Sequence, residues 1–148
     1  MSAAHDALPR WLPLAASINA RLLRAGLPIG SQVVLTVVGR RTGKPRSLPV
    51  SIVVLDGARY VVSGEGTAWV ANARAAHEGT IERGGLRERV RLTEIEPAGR
   101  PAVMRAFWDQ VPHGRSFVAR LFGLAPDATA DDFAAAGPRC PVFRLDPA

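Results

Sequence analysis

The sequence predicts an α+β domain in which a mostly antiparallel sheet or small barrel of about six strands carries an N-terminal helix and further helices outside it. Two patterns carry this expectation. Segments rich in β-branched residues follow one another through short turn signals, as hairpins do, and the helical periodicities interrupt them irregularly instead of alternating with them strand by strand. A doubly wound parallel sheet is therefore disfavoured. The length of 148 residues, 47% of them hydrophobic, suits one domain spanning 1–148. Its core needs no metal or disulfide to hold it.

Taken in order, residues 9–27 place Trp11, Leu14, Ile18, Leu22 and Leu23 at mostly three- and four-residue spacing with Arg10, Arg21 and Arg24 among them, which predicts an amphipathic helix. Such a helix either packs on the body of the domain or lies on an anionic membrane surface. Gly26, Pro28 and Gly30 end it. Gln32 to Val38 then reads as a buried strand, Gly39 to Arg46 as a turn and Ser47 to Leu55 as a second strand. Pro49 belongs at an edge or bulge, because it has no amide to donate. Asp56-Gly57 is a hairpin signal leading to a strand over 59–63. The loop Gly64 to Gly66 precedes a short helix that Thr67 is placed to cap, with Trp69, Asn72, Ala73 and Ala76 on one face.

A second hairpin turns at Gly84-Gly85, between Thr80–Arg83 and Leu86–Ile95. Its long strand alternates, with Leu86, Val90 and Leu92 on one side and Arg87, Arg89 and Arg91 on the other. Pro97 or, better placed, Pro101 starts a helix to about Gln110 that buries Val103, Ala106 and Phe107. Arg115–Leu124 is helical, and Cys140–Leu145 is a last short strand.

Composition narrows the function classes. The lone cysteine, Cys140, excludes an intrachain bridge and a cysteine-rich zinc module, and it reads as a small packing residue. No stretch approaches the ~20 apolar residues needed to span a bilayer. Asp6 stands ahead of the first basic residue, Arg10, so the charge order of a secretory signal is missing and a cytoplasmic location, peripheral to a membrane at most, is expected. Nineteen Lys and Arg against thirteen Asp and Glu leave a net charge of +6, which favours an anionic partner.

The strongest local signal is Gly39-Arg40-Arg41-Thr42-Gly43-Lys44-Pro45-Arg46, with four cationic side chains and no acid. Its glycines let the backbone turn its amides toward an anion, and forked guanidinium contacts would hold a phosphate or carboxylate. A solvated basic turn is the bland alternative. It is not a nucleotide P-loop, since the glycine spacing is one residue short and Lys44 is followed by Pro45. His5, His77 and His113 lack metal-ligand spacing, and no serine sits in a nucleophile elbow. Glu82, Glu88 and Glu94 lie among arginines and are expected to form salt bridges. With no side chain set as catalyst, an enzyme of this sequence would borrow its reactive group.

The segment from Gly26 to Val50, sharpest over Gly39–Arg46, resembles the deazaflavin-dependent nitroreductase family. The likeness continues through Tyr60-Val61-Val62-Ser63-Gly64, Trp69 to Asn72 and the 78–95 hairpin, and ends near Pro141-Val142-Phe143-Arg144. It implies a split β-barrel and the coenzyme F420, with FMN the less favoured cofactor. It also implies that Arg40, Arg41, Thr42, Lys44 and Arg46 hold the coenzyme's phosphate and acidic tail. By the same likeness Pro49 and Val50 line the deazaflavin ring, and Ser63, Gly64, Trp69 and Asn72 close over it. In such enzymes a reduced ring passes a hydride to a small-molecule acceptor. The loop from Ser63 to Trp69 is shorter than is usual and carries Glu65. Tyr60 is the only tyrosine, so tyrosines that some relatives place against substrate have no counterpart, and the acceptor expected is a quinone, nitro or enone compound of planar, conjugated form.

Two other functions compete. A non-catalytic split barrel binding a lipid, fatty acid or FMN would use the amphipathic helix and Glu65. Nucleic-acid binding through Arg83, Arg87, Arg89 and Arg91 is disfavoured because no aromatic residues interleave with them. A homodimer is compatible with the sequence.

Overall fold

The computed structural model describes residues 32–64 and 66–148. The expected N-terminal helix over 9–27 and Glu65 lie outside the described residues. Seven strands form one sheet: β1 (Gln32–Val38), β2 (Pro45–Ser51), β3 (Val53–Leu55), β4 (Ala58–Val62), β5 (Glu78–Arg83), β6 (Leu86–Glu94) and β7 (Val142–Pro147). Their order is β2-β1-β5-β6-β7-β4-β3, and every neighbouring pair is antiparallel.

β2 and β3 stand at opposite ends of that order, yet only Ile52 separates them in the chain. The sheet must therefore curl until one continuous segment serves both of its edges, which is the geometry of a split barrel. Ile52 at this crossing is 3% exposed, and its burial contributes about 1.5–3 kcal/mol to holding the two edges together. The single strand expected over 47–55 is thus two strands, and this accounts for seven strands against the six expected. Pro49 lies on β2, opposite Val34 and at the sheet's edge, where its missing amide costs no ladder bond.

The Asp56-Gly57 turn forms as expected, with φ of 52° and 78°, the left-handed pair that a two-residue hairpin requires. Inside the barrel Val33, Leu35, Val37, Val90, Leu92 and Phe143 pack together. The helix α1 (Ala68–Ala76) closes the interior with Val70 and Ala73, and Trp69 and Ala76 pack against the same core. Thr67 occupies the N-cap of α1 without making a capping bond. Its hydroxyl is 2.9 Å from Ser63 Oγ and donates to the Gly64 carbonyl, so it ties the preceding loop instead.

A second apolar layer covers the outer side of β3, β4 and β7. It is built from α2 (Arg100–Gln110), α3 (Arg115–Leu121) and α4 (Ala130–Ala136), and at its centre Phe107 stacks on Phe133 while Phe122 meets Phe133 edge-on. Cys140 is buried there, as a packing residue should be. The helix α4 is absent from the sequence-based expectation, and α3 stops three residues short of it, where Phe122 leaves helical geometry. α4 is fixed by a capping box, Thr129 accepting from the Asp132 amide and Asp132 from the Thr129 amide.

On β6 the expected alternation holds for Val90 and Leu92, whereas Leu86 is 70% exposed. It sits at the hairpin tip, beyond the reach of the core. The acids pair with arginines as expected: Glu82 with Arg87, Glu88 with Arg59, and Glu94 with both Arg74 and Arg100. The Arg59 guanidinium holds the Glu88 carboxyl below its ordinary range, and Arg74 does the same for Glu94. Among the described residues no helix is long and apolar enough to cross a membrane.

Candidate functional site

A cleft of about 690 Å³ opens between the β2 edge and the α2–α3 connection. Its barrel side is formed by Leu48, Pro49, Val50 and Ser51 of β2, by Ser63 and Gly64 after β4, and by Trp69 of α1. Five of the six expected ring-binding positions, Pro49, Val50, Ser63, Gly64 and Trp69, thus meet in one cavity, and Asn72 does not line it. Gly64 is there for a steric reason, since a Cβ on it would stand 3.1 Å from the carbonyl oxygen of Leu121. The floor therefore lies flush against α3. Trp69 is held by a tilted contact with Phe143, ring centroids 5.4 Å apart, which gives the cleft a rigid aromatic wall.

The basic turn adjoins this cavity without lining it. Gly39 N–H donates to the Lys44 carbonyl at 2.8 Å, Gly43 N–H to the Gly39 carbonyl at 2.9 Å, and Lys44 N–H to Thr42 Oγ1 at 3.2 Å. These bonds close the loop on itself and direct its long side chains outward. The turn is anchored to α1 through one buried side chain. Asn72, 4% exposed, accepts at Oδ1 both the main-chain amide of Arg40 at 3.0 Å and its Nη1 at 2.9 Å. Asn72 lies three residues, just under one helical turn, beyond Trp69, and Arg46 lies two residues before Leu48, about 7 Å of strand. The turn and the cleft are therefore one continuous surface. By the period of the strand, Arg46 also projects on the same face of β2 as Leu48 and Val50.

Charge separates the residues of the turn by task. Arg40 is engaged with Asn72, whereas Arg41, Lys44 and Arg46 are exposed and enter no ion pair among the described residues. Elsewhere Arg59, Arg74, Arg87, Arg89, Arg100, Arg105 and Arg144 all have carboxylate partners. Three neighbouring cations left without counter-ions, beside a mostly apolar cavity, suit a ligand with a planar body and an anionic tail.

The opposite wall of the cleft escaped the sequence reading. Phe107, Gln110, Val111, His113, Phe117 and Leu121 face it from α2, α3 and the turn between them. Phe117 and Leu121 are 64% and 55% exposed, large apolar side chains left open on a seven-residue helix. The signal lies in the exposure and not in the sequence: a short helix with more apolar surface than its burial uses marks a ligand-facing wall. Gln110 is fixed by edge strand β3, its Oε1 accepting from Val54 N–H at 2.9 Å and its Nε2 donating to Val54 O at 2.6 Å.

A family model described as F420H(2)-dependent quinone reductase matches residues 17–115. A solved structure described as the F420-H2 dependent reductase FDR-A is 20% identical, covers 78% of this chain and 94% of its own, and superposes with a TM-score of 0.55. One described as a domain-swapped dimer is also 20% identical, with coverage of 85% and 92% and a TM-score of 0.55. The conserved hypothetical protein Rv2991 from Mycobacterium tuberculosis is 14% identical, with coverage of 81% and 74% and a TM-score of 0.60. At these identities the structures establish the shared fold. No curated protein matches.

Proposed function

The chain belongs to the F420H(2)-dependent quinone reductase family, and from that premise we propose that it reduces a quinone-type acceptor seated in the cleft between β2 and the α2–α3 connection. It is an F420H2-dependent reductase, and F420 is its coenzyme. When bound, the reduced coenzyme supplies a hydride. The observation that carries the placement is the set of exposed cations Arg41, Lys44 and Arg46, without ion-pair partners among the described residues, next to the cavity walled by Pro49, Val50 and Trp69.

In this reading the chain contributes binding, orientation and exclusion of water. Arg41, Lys44 and Arg46, with Thr42 shaping the turn between them, receive the phosphate and acidic tail. Arg40 and Asn72 hold the turn against α1. Pro49 and Val50 support one face of a planar ring, while Ser63 and Gly64 bound it from the β4 side. The acceptor then lies toward Phe117 and Leu121, whose exposed apolar surface suits a flat conjugated body. Holding two reactants face to face in one site replaces a bimolecular encounter with an oriented contact.

The decisive experiment titrates the purified protein with oxidised F420 and follows oxidation of the reduced coenzyme with a panel of quinones, nitroarenes and enones. Micromolar binding with turnover highest for quinones is expected. Coenzyme oxidation that proceeds with nitroarenes or enones and never with quinones would overturn the acceptor class.

A further inference from the structure

Reducing a quinone to a hydroquinone takes a hydride and a proton, and the apolar walls of the cleft raise the question of where the proton comes from. Among the described residues His113 is the sole cleft-lining side chain with an acid–base group, an imidazole able to give up a proton and take one back. The other polar groups are committed or do not titrate. Ser63 and Thr67 bond each other and the Gly64 carbonyl. Gln110 spends both ends of its amide on Val54. Gln32 and Ser51 carry no exchangeable charge at working pH.

His113 is held in place although its imidazole is exposed and has no hydrogen-bond partner among the described residues. It sits in a one-turn 3-10 segment, Pro112–Gly114, between α2 and α3. Three residues before it, the Gln110 clamp fixes the end of α2 to the edge of the barrel. Two residues after it, Arg115 lies over the Trp108 ring, 3.6 Å from its centroid, and donates to the Trp108 carbonyl at 2.6 Å. The backbone on either side is thus fixed by side chains, while the imidazole stays open to both cleft and solvent. Arg115 is occupied on Trp108, and Asp109 is exposed on α2 outside the cleft lining.

We infer that His113 is the proton donor to the quinone oxygen, an inference that rests on the proposed acceptor. The acceptor gains two electrons and one hydrogen as hydride, which leaves negative charge on a carbonyl oxygen. The imidazolium N–H bond of His113 breaks and an O–H bond forms on that oxygen. The hydroquinone is then neutral, and the imidazole regains a proton from water at its exposed side.

Two acceptors test this. Duroquinone needs a hydride and a proton, whereas methylene blue is a cation that a hydride alone converts to its neutral leuco form. Replacing the donor, as His113→Gln or His113→Ala, is expected to lower the ratio of duroquinone to methylene blue turnover by about 10²-fold or more, within the range of general acid catalysis. An unchanged ratio overturns the inference and leaves the acceptor proposal standing. A wild-type protein that reduces methylene blue and never duroquinone overturns both. Independently of turnover, duroquinone added to the coenzyme-free protein should shift the His113 imidazole NMR signals and spare those of His77. Absence of that shift also overturns the inference.

Discussion

Replacing Arg41 and Arg46 by alanine, singly and together, tests the coenzyme placement with little interference from folding. Both side chains are exposed and neither has an ion-pair partner among the described residues, so removing them leaves no buried group unpaired. The stability of each variant should stay within the small range of a surface substitution, about 0.5 kcal/mol. The lost binding contact is charge-assisted and contributes about 1.5–3 kcal/mol, with exposure to water and salt favouring the lower figure. At 1.4 kcal/mol per decade, each variant should raise the Kd for oxidised F420 about 10-fold and the pair about 100-fold. Fluorescence titration at two salt concentrations measures this. The wild-type Kd should climb with salt more steeply than that of the double variant, because fewer charges remain to be screened. Arg89→Ala is the control, since that exposed arginine faces Glu78 on the β5–β6 hairpin. If both single variants bind as the wild type does while the control weakens binding, the anionic tail lies elsewhere and the reasoning from unpaired cations is wrong.

Asn72→Ala should cost about 1–3 kcal/mol of stability, because it leaves the Arg40 amide without its acceptor, and it should weaken F420 binding by loosening the turn. Asn72→Asp keeps the accepting oxygen, so a thermal melt should recover toward wild type while F420 affinity stays low, the added charge now neutralising Arg40. Glu94 is held below its ordinary value of 4.5, first by its hydrogen bond to Arg74. A depressed folded-state pKa means the stabilisation is present above the unfolded value and is lost as pH falls through the folded one. The melting temperature should therefore be level near neutrality and fall below about pH 4.5, with Glu88 contributing in the same direction. Glu94→Gln should lower it by about 5 °C at pH 7, because largely buried Arg100 loses its counter-charge, and should flatten the acid limb of a melting curve series.

Local physics made much of the barrel legible. Gln32–Val38 is read correctly because β-branched residues buried on both faces leave a continuous apolar run. Asp56-Gly57 and Gly84-Gly85 are read because left-handed turns demand such pairs. The break at Ile52 was not legible. No proline or glycine marks it, and it exists because the curled sheet needs one segment at both edges, a demand made by partners far away in sequence. The helix α4 was missed for a different reason. Its seven residues are mostly Ala and Asp, too short for a periodicity, and its start is declared only by the Thr129–Asp132 box.

The two halves of the site differ in the same way. The basic turn could be read because its chemistry is concentrated in eight consecutive residues, and cations placed together without acids need an explanation wherever the chain goes. The helical wall of the cleft could not, because its contacts come from α2, the 112–114 turn and α3, and each piece alone resembles ordinary helix packing. What makes them a wall is Gln110 bonding an edge strand fifty-six residues earlier in the chain. Toward Val54 the glutamine amide turns one acceptor and one donor, the same pair that a neighbouring strand would present. It therefore extends the β3 edge by one residue and sets the helical layer at a fixed distance from the barrel. The width of the cleft follows from that contact, and with it the proposed preference for flat acceptors. A shorter side chain at position 110 should relax acceptor selectivity before it affects coenzyme affinity.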